Sequence, residues 1–170
     1  MADIVMLVLR VLHLFCGAFW VGGALVGAFF LGPAVQRMGP DGGRFMHELM
    51  QRRKFGLYMT LAGGFTVLTG LAFLGHGMSS EVWRASTYGR IMMTGSAFGV
   101  LALVLGHAVN APTAKRLGAL GATMQAAGGP PSPDRLAEVA RLQQRLRTSS
   151  VAAAILLSLT VVAMAAASAL

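Results

Sequence analysis

Hydrophobic positions along this chain do not alternate and are not scattered. They fall into four blocks, about Val11 to Leu31, Phe55 to Leu74, Ile91 to Val109 and Val151 to Leu170. Each reaches or approaches the ~20 helical residues needed to cross a hydrocarbon core. Polar segments separate them, 33–54 and 110–148 being the long ones. The pattern predicts an all-α integral membrane protein, a four-helix bundle forming one domain over residues 1–170.

Breakers and caps refine the elements. Gly32-Pro33 is expected to stop the first span, because proline cannot continue the helical hydrogen-bond ladder. From Arg44 to Arg53, residues Phe45, Met46, Leu49 and Met50 share one face, which predicts an amphipathic helix ahead of span two. Span two ends at Gly75-His76-Gly77, and Trp83 and Tyr88 in the next loop read as interfacial anchors. Span three is expected to end before Pro112. After the break Gly128-Gly129-Pro130-Pro131, the run Ser132-Pro133-Asp134 has the residues of a helix start. Leu136, Val139, Leu142 and Leu146 then share a face, and no breaker precedes Val151. One long helix is predicted, with its first half projecting from the membrane.

Composition agrees with this class. Hydrophobic residues make up 55% of the 170 and charged residues 12%, about half the charged share of a soluble domain. The mean hydropathy is +0.66. A net charge of +8 would raise nucleic acid as a partner in a soluble protein. Here the cations flank apolar blocks and no nucleic-acid-reading motif is present, so topology and lipid account for them and no nucleic-acid partner is expected.

Lysine and arginine also set the orientation. Five lie between spans one and two and six between spans three and four, against two between spans two and three and one before span one. The positive-inside rule puts the two rich segments in the cytoplasm and both termini on the non-cytoplasmic side. The expected location is a cytoplasmic membrane, the inner membrane of a bacterium. The start of the chain does not read as a cleavable signal, its apolar stretch being too long. A lone cysteine, Cys16, makes neither an internal disulfide nor a zinc site.

Two small-xxx-small patterns, Gly23-xxx-Gly27 and Gly95-xxx-Gly99, permit close backbone approach. Packing inside the bundle is the first expectation for them. A homodimer or a larger membrane complex is the alternative.

Ionisable groups at membrane depth are the place to look for chemistry. They are His13, His76, His107, Arg10 and Arg90, with His47 on the amphipathic helix. His13 lies about 4–5 Å inside Arg10 at 1.5 Å per residue. Span two approaches the same boundary at His76, so the two histidines are expected at similar depth. Neutral imidazole ligates haem iron and copper, and Arg10, Arg84 and Arg90 lie near the level that haem propionates would occupy. His107 and His47 form a second, inner candidate pair. Against each stands a plain alternative: a histidine at a span end often only bonds water or backbone, and arginines there anchor topology. The methionines Met46, Met50, Met59, Met78, Met92 and Met93 raise copper, though thioethers commonly fill apolar gaps. Trp20 is read as packing. No phosphate loop, no nucleophile triad and no carboxylate inside a span is evident.

The stretch Leu12-His13-Leu14 through Trp20-Val21-Gly22-Gly23 to Gly32-Pro33-Ala34 resembles the first helix of CopD-type and HemJ-type membrane proteins. Phe45 to Leu74, with Arg52-Arg53 and Leu68-Thr69-Gly70-Leu71, resembles their second. Trp83, Arg90 and Gly106-His107 before Lys115-Arg116 resemble their third. The likeness covers roughly residues 8 to 117. It implies a small membrane protein that binds haem b or handles a metal, with His13 at the position of the histidine that serves haem. In HemJ-type proteins the implied activity is oxidation of protoporphyrinogen. Ala34 stands where those proteins have arginine after the proline, and Arg90 where they have lysine.

Three functions follow as expectations. The first is a haem-b protein for electron transfer or porphyrin chemistry, with His13 paired to His76 or His107 and Arg10 and Arg90 beside the propionates. The second is a non-catalytic accessory subunit of a larger membrane complex. The third is copper handling.

Overall fold

The computed structural model describes residues 2–169, so Leu170, the last residue of the fourth expected span, and Met1 lie outside the described residues. Four helical rods are long and apolar enough to cross a membrane: Ile4–Arg37, Phe55–Met78, Thr87–Ala126 and Pro133–Ala167. No strand occurs among the described residues. The chain is an integral membrane protein by helix length and composition.

The first rod comprises α1 (Ala2–Val26), a π turn (Gly27–Leu31) and α2 (Gly32–Arg37). The third comprises α6 (Thr87–Leu105), a π turn (Gly106–Asn110) and α7 (Ala111–Ala126). Both expected stops are therefore wrong: the helix passes through Pro33 and through Pro112. A proline inside a helix lacks an N–H and its ring collides with the carbonyl four residues back. Each of these prolines directly follows a π turn, where the Gly32 N–H bonds the Gly27 carbonyl and the Ala111 N–H bonds the Gly106 carbonyl. The wider turn makes room for the ring without ending the helix.

The remaining elements follow the expected outline. The amphipathic segment is helical as α3 (Pro40–His47) and a third π turn (Glu48–Arg52). Lys54 then turns the chain in the left-handed region, at φ 53° and ψ 30°, into α4 (Phe55–Met78). Ser80 caps the short α5 (Glu81–Ala85), and Ser86 caps α6 by accepting from the Gly89 N–H. Trp83 folds back over Gly77, where an added Cβ would come within 2.7 Å of its ring, and its edge meets Tyr88. The final rod is one helix, α8 (Pro133–Ala167), of 35 residues. At 1.5 Å per residue it measures about 52 Å against a hydrocarbon core of ~30 Å. Its first half pairs with α7 as a helical hairpin, joined by an Arg116–Glu138 ion pair at 2.5 Å.

The core holds one buried side chain from each rod: Trp20, Ala62, Ala102 and Leu157. Two seams dominate. Along α1 and α4 a side chain of one helix meets a glycine of the other, or a neighbouring small residue. His13 lies against Gly70, Gly17 against Thr66, Trp20 against Gly63 and Gly23 against Met59. A Cβ at Gly63 would come within 2.9 Å of the Trp20 ring. Along α6 and α8, Gly95 faces Ala163 and Gly99 faces Thr160. That approach lets the Thr160 hydroxyl bond the Gly95 carbonyl oxygen at 3.1 Å. The Gly95-xxx-Gly99 face is thus spent inside the bundle. Of the other pair, Gly23 packs on Met59 while Gly27 meets nothing.

Candidate functional site

His13 is the candidate ligand that the fold holds by hydrogen bonds to a neighbouring helix; His107 makes such a bond only within its own helix. It sits one and two turns before Gly17 and Trp20 on the face of α1 that packs on α4, half-buried. Its Nδ1 lies 2.9 Å from the Thr66 carbonyl oxygen and 3.0 Å from Thr69 Oγ1. A carbonyl oxygen only accepts, so Nδ1 carries the hydrogen. The Thr69 hydroxyl donates its own proton to the Phe65 carbonyl oxygen at 2.7 Å, leaving its oxygen free to accept from the imidazole. Gly70 creates the space, since a Cβ there would stand 3.0 Å from His13 Cε1. Phe73 meets the ring edge-on, with centroids 5.9 Å apart.

The other ring nitrogen, Nε2, therefore holds a lone pair in the neutral ring. It has no hydrogen-bond partner, and every buried side-chain nitrogen and oxygen among the described residues has one. Nε2 therefore opens at the surface of the chain. A histidine whose one N–H is fixed to a carbonyl while the other nitrogen is free has the arrangement of a metal-ligating imidazole.

The remaining candidates are placed apart from it. His76 is exposed near the end of α4, six residues beyond Gly70, hence about 9 Å further along the axis, with Phe73 between. No hydrogen bond or ring contact joins His76 to His13. His107 lies in the π turn at the opposite end of α6, exposed, its Nδ1 donating to the Leu103 carbonyl oxygen at 3.0 Å. His47 is exposed at the end of α3, and no hydrogen bond joins it to His107.

Arg10 precedes His13 by three residues on the same stripe of α1, and Arg90 stands in the first turn of α6. Both are exposed, and neither has a carboxylate within 4 Å among the described residues. Arg84 is occupied by the Met78 carbonyl oxygen. Met50 packs by Gly56 and Met59 against Gly23, at one end of α4, while Met78 lies at the other. No cluster of three His, Cys, Asp or Glu side chains occurs among the described residues.

Thr69 and Gly70 entered the sequence reading only within the resemblance, and Thr66 not at all; none was expected beside His13. Their signal was two hydroxyls and a glycine on one face of an apolar span, at positions 66, 69 and 70. Comparison with protein-family profiles, curated proteins and solved structures finds no match.

Proposed function

We propose that this chain is a membrane-embedded haem-b-binding protein for electron transfer or porphyrin chemistry in which His13 Nε2 would hold the haem iron. One observation carries the reading: Nδ1–H is held by the Thr66 carbonyl, which fixes the ring and directs the Nε2 lone pair outward. The donor set fits one coordination position, with His13 as ligand and Arg10 and Arg90, which have no carboxylate within 4 Å among the described residues, as cations for the propionates. When bound, haem would supply one-electron redox chemistry or porphyrin handling. The chain's own residues orient the ligand and offer the cations. Haem content of protein purified with haem supplied tests this, because His13→Ala is expected to lose most of it. Retention of haem by that variant would refute the assignment.

The same reading places both termini on the non-cytoplasmic side of a bacterial inner membrane, supported by the eleven lysines and arginines in the two long segments. A second reading, a non-catalytic subunit of a larger membrane complex, is favoured by α1. Its outer half exposes Leu7, Val11, Leu14 and Phe15 and is the least enclosed part of the bundle.

A further inference from the structure

A concave surface lies away from His13, where α8 leaves the apolar part of the bundle. It is a groove of about 610 Å³ with a mostly apolar lining. Leu105 and Ala152 form its floor, and Arg141, Gln144, Arg145 and Thr148 rise along one face of α8 at helical spacing. Ser149, whose hydroxyl lies 2.5 Å from Asn110 Oδ1, fastens α8 to the π turn after α6 beside it. The groove wall is therefore pinned to the neighbouring helix.

Charge and depth together select an occupant. Arg141 and Arg145 have no carboxylate within 4 Å among the described residues, although Arg116 of the same hairpin is paired with Glu138. The apolar run of α8 begins near Val151. Thr148 lies about 4–5 Å, and Arg145 about 9 Å, before that point along the axis. The headgroup zone on each side of a bilayer is about 5–7 Å thick. A hydroxyl and a guanidinium thus bracket phosphate level, and Leu105 and Ala152 continue the groove at acyl level. A soluble anion would use the cations and ignore the floor. A neutral lipid would use the floor and leave two arginines unpaired.

We propose that this groove is a binding site for an anionic phospholipid, with its phosphate held by Arg145 and Thr148, the longer-reaching Arg141 adding positive charge from about 15 Å before Val151, and an acyl chain laid over Leu105 and Ala152. Arg–phosphate pairing is charge-assisted and directional, and basic recesses beside membrane helices are suited to acidic headgroups.

The test is native mass spectrometry of the full chain released from phosphatidylcholine nanodiscs doped with phosphatidylglycerol. The wild type is expected to retain one phosphatidylglycerol. The double variant Arg141→Gln/Arg145→Gln is expected to lose it by at least tenfold, and Ala152→Phe, which fills the floor without altering charge, by a similar factor. Arg147→Gln, off the groove, is expected to keep it. Equal loss in Arg147→Gln would reduce the effect to general electrostatics and overturn the proposal. Retention in Ala152→Phe, or displacement of the lipid by millimolar inorganic phosphate, would show a free-anion site and overturn it as well.

Discussion

The imidazole of His13 donates its Nδ1 hydrogen to the carbonyl oxygen of Thr66, 2.9 Å away and fifty-three residues on in the chain. This one bond ties α1 to α4, selects the tautomer and leaves Nε2 as the free nitrogen. The consequences of that arrangement, and of the packing that holds it, can be measured.

Gly70 provides the room for the ring. In Gly70→Ala the new Cβ stands 3.0 Å from His13 Cε1, so the imidazole must give by a few tenths of an ångström against its bonds to Thr66 and Thr69. Loss of an orienting partner costs a metal ligand about 10–100-fold in affinity. Haem titration of Gly70→Ala is expected to show a loss of that order with the bundle still folded. Unchanged affinity would mean that the Thr66 bond does not orient the ligand.

The Trp20–Gly63 contact predicts a stability effect without a site effect. A Cβ at Gly63 meets the indole at 2.9 Å and also Leu103 at 3.2 Å, so Gly63→Ala overpacks the centre of the bundle. The expected cost is about 1–3 kcal/mol in a detergent unfolding titration. Gly64→Ala, which has open space at the same depth, is expected to cost nothing by crowding.

These contacts also show how far the sequence could be read. Apolar block length gave the four spans, because crossing a hydrocarbon core demands length and little else. Gly95-xxx-Gly99 was legible as a close-approach face and does pack on α8. The termini of the rods were misread at Pro33 and Pro112, since a π turn has no sequence signature comparable to that of a cap. His13 was legible as a buried polar group. Its partners were not, because Thr66, Thr69 and Gly70 become meaningful only once the antiparallel register is known. That register sets 13 against 70, 17 against 66 and 20 against 63. The depth argument for His76 lacked the same register.

On the α6–α8 seam, Thr160→Val keeps the shape and removes the hydrogen bond to the Gly95 carbonyl. Such bonds between membrane helices average ~0.6 kcal/mol and reach ~1.7. An unfolding measurement is expected to fall in that range. A loss well above it would mean that the hydroxyl has a further role.

Topology can be checked on whole cells. With Cys16→Ser as background, a cysteine introduced by Ser79→Cys is expected to react with a membrane-impermeant maleimide from outside. One introduced by Gly129→Cys is expected to react only after lysis. The reverse pattern would overturn the orientation inferred from lysine and arginine placement.

The central claim is that His13 Nε2 is the haem ligand, and small-molecule rescue tests it most directly. The visible spectrum of His13→Gly, expressed with haem supplied, is recorded with and without millimolar imidazole and compared with the wild type. The account predicts a strong Soret band in the wild type, its loss in His13→Gly and its return when free imidazole occupies the vacated space. A well-folded wild type without a Soret band, or a His13→Gly protein with the wild-type spectrum in the absence of imidazole, would contradict it.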